Sequence, residues 1–261
     1  MTQIKEIIDI IEAQAPRQLQ DNWDNSGWQI GPLTDECTGA LLCLDVTEAA
    51  IEEAKELGCN LIIAHHPPLF RGLKQVNGET LAGRCVIEAV RAGISIYAAH
   101  TSLDRATEIG VSNHIAGKMG WTVGELLECG GDGHGYGVIA TTPTPTRLSD
   151  LLQQIKDVFG CRQLRHNATN LDSKVQRIAV CSGSGAEFIE LAHAKQADAY
   201  LTGDLRHHAW IEAPRDLTLI DMGHSESEQC TKEIFFELIS KKIPTFAVYF
   251  AKSDINPIQY F

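Results

Sequence analysis

The stretch ALLCLDVTEAAIEEAKELGCNLIIAHHPP, residues 40–68, decides how this chain folds. Ala40–Val46 is a short apolar run of the kind found in a strand covered on both faces. Thr47 then suits a helix N-cap, acids occupy the first turn of Glu48–Leu57, and Gly58 stands just past its end. Asn60–Ala64 is a second apolar run, and it leads straight into His65-His66. Pro67 and Pro68 stiffen the exit. Strand, helix and strand at this spacing predict a βαβ unit with a right-handed crossover and a parallel sheet.

The same alternation extends outward. A helix is expected over about Thr80–Ala92, then a strand at Ile94–Ala99 ending in His100-Thr-Ser-Leu-Asp104, then a helix over Val111–Met119. CGGDGHGYG (129–137) reads as a domain junction, and TTPTPT (141–146) as the entry to a helix over Leu148–Phe159. From Arg177 the rhythm resumes, with strand Ile178–Cys181, the glycine turn SGSG (182–185), helix Ala186–Lys195 and strand Ala199–Thr202. A last strand at Leu217–Asp221 runs into a helix starting near His224, and FAVYF (246–250) is strand-like. An ungapped shift of 138 residues lays Leu42–His66 over Val180–Asp204, pairing Cys43 with Cys181, Ile51 with Ile189, Glu52 with Glu190 and Ala54 with Ala192. The expected architecture is two similar α/β lobes with mostly parallel sheets and ligand residues at the C-terminal ends of strands. Residues 1–128 form the first lobe, completed by 217–261, and residues 129–216 form a second, smaller one.

Composition narrows the function. The 261 residues are 44% hydrophobic and 21% charged, ordinary for a globular protein. The net charge of -12 argues against a nucleic-acid binder, which normally presents a basic face. Of the eight cysteines no two make a CxxC, and most lie in apolar segments, so they read as buried thiols of a reducing compartment. MTQIKEIIDIIEAQAP at the start is an amphipathic helix pattern whose charges at Lys5, Glu6, Asp9 and Glu12 interrupt any signal-peptide core. No run of 18 uncharged apolar residues occurs, so no membrane span is expected and the cytoplasm is the expected location.

In open parallel sheets, functional groups collect beyond the carboxyl ends of the strands. Three such ends here carry ligand-type residues: His65-His66, His100 with Asp104, and His224 with Glu228. Neighbouring residues leaving a strand point to opposite sides, so His65 and His66 can each serve a different ion. His224 and Glu228 are four apart at a helix start and share one face. Imidazole with carboxylate suits Zn, Mn, Fe, Co or Ni better than Ca. Asp104 and Glu228 are the candidate bridging carboxylates, and two ions about 3.5–4 Å apart would activate a water at neutral pH. Taken singly, each piece has a plainer reading. An HH doublet is commonly a hydrogen-bonded loop pair, HxxxE a solvated helix face, and Asp104 a helix cap. Convergence on predicted strand ends of one sheet favours the metal reading. His100 is a candidate acid/base or a support for the ligands. His207, His208 and Asp204 sit at the strand end of the repeat, with substrate-contacting and structural roles equally open. The SGSG turn has backbone amides suited to an anion. Trp23 and Trp28 flank Asp24-Asn25-Ser26 and can line a substrate mouth or pack under a loop.

DNSGWQIG (24–31), AHHPPLF (64–70), AAHTSLD (98–104), TGDLRHH (202–208), GHSESE (223–228) and INPIQYF (255–261) together resemble one family, over nearly the whole chain and in order. It is the dinuclear-metal-centre family labelled GTP cyclohydrolase 1 type 2 homologues. The resemblance implies a two-lobed α/β fold, a toroidal homohexamer, and two divalent metal ions held by His65, His66, Asp104, His224 and Glu228. Longer relatives carry an inserted mid-chain domain, for which this sequence is too short. GHSESE also departs from the family's usual motif by adding Glu226, whose two-residue offset turns it from the His224 face. The implied activity is a metal-dependent hydrolase of a small cyclic or nucleotide-like substrate, GTP cyclohydrolase-like, with activated water attacking the ring and His100 as acid/base. Few basic residues flank the motifs to hold a triphosphate, Arg71, Lys74 and Arg105 being the nearest. The competing readings are a metal-dependent phosphoesterase and a metal-binding or regulatory protein without turnover.

Overall fold

The computed structural model describes residues 2–261. In chain order, α1 (Ile4–Glu12), β1 (Gly27–Ile30), β2 (Ala40–Cys43), α2 (Glu48–Glu56), β3 (Leu61–Ala64), α3 (Leu81–Ala92), β4 (Ser95–Ala98) and α4 (Thr101–Asp104) come first. They are followed by α5 (Val111–Lys118), β5 (Thr122–Leu126), β6 (Val138–Arg147), α6 (Leu148–Phe159), β7 (Arg165–His166) and β8 (Lys174–Ser184). Then come α7 (Ile189–Ala194), β9 (Ala199–Gly203), α8 (His207–Glu212), β10 (Thr218–Asp221), α9 (His224–Glu228), α10 (Thr231–Lys242) and β11 (Val248–Phe250). The chain forms two compact units. One ends at Ala106 and takes in Thr231–Pro257; the other is Thr107–Cys230 with Ile258–Phe261.

In the first unit the sheet order is β1-β4-β3-β2-β11. β11, β2, β3 and β4 are parallel neighbours, and β1 adds an antiparallel edge. β2, β3 and β4 are buried along their whole length, which explains their unbroken apolar runs. The Thr47 side chain accepts the Ala50 amide as the expected cap of α2, and Thr80 does the same for α3 through the Gly83 amide. Leu41, Cys43, Ile62, Ala64 and Ile96 of the strands pack with Ile51, Ala54, Cys85 and Ala89 of the two helices as one core.

In the second unit the order is β5-β6-β8-β9-β10-β7. β8, β9 and β10 are parallel, while β5, β6 and β7 extend the sheet antiparallel on its two sides. The expected mixed α/β architecture is present, with differences in its boundaries. CGGDGHGYG is not a junction but the tip of the β5–β6 hairpin, closed by the Leu127 and Glu128 amides donating to Gly137 and Tyr136 carbonyls. TTPTPT does lead into the expected helix, α6, but as a strand: β6 runs through it to Arg147. The β6–β8 register jumps from Thr141↔Arg177 to Thr146↔Val175, so Pro143 and Pro145 fall in an irregularity where no ladder amide is needed. Residues 107–128, 217–230 and 258–261 belong to the second unit rather than the first. β5 pairs with β6 and β10 with β9, so the strand end before His224 is not in the sheet that carries His65, His66 and His100. The expected helix over Ala186–Lys195 is a short 3-10 turn, Ala186–Phe188, followed by α7. Among the described residues no helix is long and apolar enough to cross a membrane.

Candidate metal centre

His65 and His66 leave the C-terminal end of β3, and His100 with α4 leaves the neighbouring end of β4. One ring nitrogen of each of the three histidines lies within 4.8 Å of the other two. The His65 side chain is fully buried, and its Nε2 is 3.7 Å from Asp104 Oδ1, so the first unit brings together four of the expected residues. Their ring orientation is fixed by their other nitrogens. His65 Nδ1 lies 2.9 Å from the Ala99 carbonyl, which can only accept, so Nδ1 carries the proton. His66 Nδ1 is 2.9 Å from Asp45 Oδ1, at the exit of β2. His100 Nδ1 is 2.8 Å from Asp24 Oδ1. Each neutral imidazole is thereby left with its lone pair on Nε2, the arrangement typical of a histidine that binds metal.

The second unit repeats this device. His224 opens α9 at the end of β10, and its Nδ1 is 2.8 Å from Asp204 Oδ2. Its Nε2 is 2.9 Å from Glu228 Oε2, one helical turn on. A neutral imidazole has one N–H and here faces two carboxylates, so the Nε2–Glu228 side suits either a second proton or a metal ion. Glu228 is buried because β8 and α9 approach closely: Gly183, at φ +63°, has the Glu228 carboxylate where a Cβ would sit. At Gly203 a Cβ would lie 2.7 Å from the Gly183 carbonyl oxygen and 2.9 Å from the His224 amide nitrogen. That glycine is what lets α9 begin there.

Several neighbouring features take plainer roles. The amides of Ser182, Gly183 and Gly185 donate to the hydroxyls of Ser112, Ser227 and Thr202, so SGSG holds no open anion cradle. His207 and His208 open α8 and are exposed, while Asp204 from the same stretch reaches His224. Trp28 packs edge-on against Tyr97 at 5.4 Å in the sheet, whereas Trp23 is 56% exposed. Trp23 and Phe70, itself 44% exposed, are edge-on to each other at 6.0 Å, and each lies about as far from His100. Cysteine is not part of the donor set. Burial pushes the Cys37 and Cys161 thiols up to about 12 and those of Cys59 and Cys85 to about 11, which keeps them protonated. A nitrogen and carboxylate set of this kind fits a borderline divalent ion. The sequence carries no signal for Asp24 and Asp45 as supports, since only the fold brings them to histidines 76 and 21 residues away, whereas Asp204 takes the structural of its two expected roles.

A two-sheet α/β fold with histidines and carboxylates at its strand ends, able to hold a metal ion, defines the class. The chain belongs to the Duf34/NIF3 (NGG1p interacting factor 3) family, whose profile matches residues 2–257. A Lactococcus lactis protein named GTP cyclohydrolase 1 type 2 homolog is 34% identical over 256 residues, covering 94% of this chain and 95% of the relative. The NIF3 homolog of Schizosaccharomyces pombe is 30% identical over 84% of this chain and 82% of its own. Among solved structures, a Bacillus cereus protein related to NIF3 shares the fold with a TM-score of 0.90, at 23% identity, over 100% of this chain and 99% of the other.

Proposed function

We propose that this protein is a divalent-metal-dependent hydrolase of a small cyclic or nucleotide-like substrate, with two ions held by His65, His66, Asp104, His224 and Glu228. The observation that carries the reading is the common state of the histidines. In His65, His66, His100 and His224 alike, Nδ1 meets a carbonyl or carboxylate oxygen at 2.8–2.9 Å. Three such rings beside Asp104 in the first unit, and one beside Glu228 in the second, suit imidazole and carboxylate ligation with coordination positions left for water and substrate. Bound divalent ions supply Lewis-acid activation of water. The protein's own groups do the rest: Asp45 and Asp204 keep two rings in the binding tautomer, and His100 accepts or returns a proton at Nε2. The exposed Trp23 and Phe70 rings beside His100 favour a ring-bearing substrate. The name of the Lactococcus lactis relative makes GTP the first compound to try. Assembly as a toroidal homohexamer is part of the same proposal, and light scattering of the purified protein tests it.

The deciding experiment is elemental analysis of protein purified without added metal or an affinity tag, with hydrolysis assays on nucleotide and pterin pools. Wild type should hold about two ions per chain, and His65→Ala and Glu228→Ala should hold fewer. Asp104→Asn should fold and lose hydrolysis. Metal-free wild type that takes up no Mn, Fe or Zn overturns the centre. Undiminished turnover in Asp104→Asn overturns the catalytic reading, and tight metal retention without any product would point to a metal-binding protein instead.

A further inference from the structure

The geometry points to Asp24 as the positioning residue of His100, locking its ring with the proton on Nδ1 and the lone pair on Nε2. This rests on the proposed role of His100 only for its catalytic consequence; the positioning itself is a matter of hydrogen bonding. The Asp24 side chain is fully enclosed, and every donor around it converges on the carboxylate. Oδ1 accepts from His100 Nδ1 at 2.8 Å and from the Asn25 amide at 2.7 Å. Oδ2 accepts from the Ser26 hydroxyl at 2.8 Å, the Thr101 amide at 3.1 Å and the Thr101 hydroxyl at 2.6 Å. Five donors on one carboxylate leave no lone pair to spare, so the oxygen facing Nδ1 can act only as an acceptor.

The backbone of His100 is tied to the same turn, since its amide donates to the Ser26 hydroxyl at 3.0 Å. The 24–26 turn thus holds His100 by its main chain and by its ring. That turn is itself braced: the buried Gln29 donates to the Asn25 carbonyl at 2.6 Å and accepts the Leu69 amide at 3.2 Å, and Asn25 Nδ2 donates to the Leu69 carbonyl at 2.8 Å. A turn that only capped α4 would need the contacts to Thr101 and no imidazole. The ring contact therefore asks for a separate explanation, and a fixed tautomer beside two further histidines supplies one.

Long-range proton–nitrogen correlation spectra of the histidine rings in the metal-free full-length protein test this directly. Wild type should show His100 as the Nδ1–H tautomer. In Asp24→Asn the amide can present N–H to Nδ1, and the His100 signals should move to the Nε2–H form or a mixture. Thr101→Val removes a hydroxyl contact of the same carboxylate and should lower stability while leaving the His100 tautomer unchanged. With a turnover assay in hand, kcat in Asp24→Asn should fall about a hundredfold or more with KM unchanged. An Nε2–H tautomer in wild type overturns the inference without any variant. So do identical His100 spectra in wild type and folded Asp24→Asn, or equal tautomer shifts in Asp24→Asn and Thr101→Val. If the tautomer behaves as expected but no hydrolysis exists, the positioning stands and the hydrolase reading falls.

Discussion

The β2-α2-β3 segment of the first unit and the β8-α7-β9 segment of the second are built on one plan and used differently. Ala40 pairs with Leu61 in one and Ile178 with Ala199 in the other, so both strands and their register recur 138 residues on. The helical stretch recurs as well, Glu48–Glu56 against the 3-10 turn at Ala186 and the helix that ends at Ala194. At the end of the second strand, however, the first unit has His65-His66 and the second has Gly203-Asp204. The metal-type histidine of the second unit sits one strand further over, after β10. In both units a carboxylate from the end of one strand steadies a histidine at the end of the next: Asp45 after β2 for His66, and Asp204 after β9 for His224. The shared backbone fixes where such histidines can stand, and the strand-end residues choose which strands carry them.

The largest test of this comparison is Gly203, which occupies the position of His65. A side chain there meets the backbone of Gly183, Gly223 and His224, none of which can swing aside. Gly203→Ala should destabilise the protein by about 2–3 kcal/mol, seen as a fall of several degrees in melting temperature. His65→Ala should instead leave the protein folded and remove metal. A neutral Gly203→Ala would break the claim that close approach of α9 dictates the difference between the units.

Much of this was legible in the sequence, for physical reasons. β2, β3, β4 and β9 are wholly buried, so their apolar runs stand out, and the candidate histidines 65, 66 and 100 follow closely on the ends of β3 and β4. The edges are another matter. β5 is almost wholly exposed and β7 has two exposed residues, so neither carries the signal of a buried strand. Glycines 130–137 look like a linker because a hairpin tip and a linker draw on the same residues. The supporting aspartates were hidden for a different reason. Asp45 lies inside an apolar run and Asp24 in a polar turn, and each acquires its role from a histidine on another strand.

The carboxylates that steady the histidines give the second test. Asp45→Asn and Asp204→Asn should each weaken metal retention by about 10- to 100-fold, measured by competition with a chelator of known affinity. The parallel between the units predicts losses of similar size with little change in thermal stability of the metal-free protein. A loss in one variant and none in the other would show that the two units do not support their ligands alike.

The smallest effect concerns a feature of the first unit that the second lacks. The Glu53 carboxylate on α2 accepts from the Lys252 amide at 2.9 Å, the Ser253 amide at 2.9 Å and the Ser253 hydroxyl at 2.6 Å, tying down the chain beyond β11. Its counterpart 138 residues on is Leu191. Burial acts to raise the Glu53 carboxyl, but the bonds from Ser253 and Lys252 outweigh it and hold the group below its ordinary value. With the folded value depressed, the tie is fully present above the ordinary glutamate range near pH ~4.3 and is lost as pH falls through the lower, folded value. Amide exchange at Lys252 and Ser253, corrected for intrinsic rates, should therefore stay slow to below pH ~4.3 and quicken beneath it. Glu53→Gln should abolish that step, because the amide no longer titrates, while exchange in α7 should show no corresponding transition. A step that survives in Glu53→Gln would place the acid-sensitive contact elsewhere in the first unit.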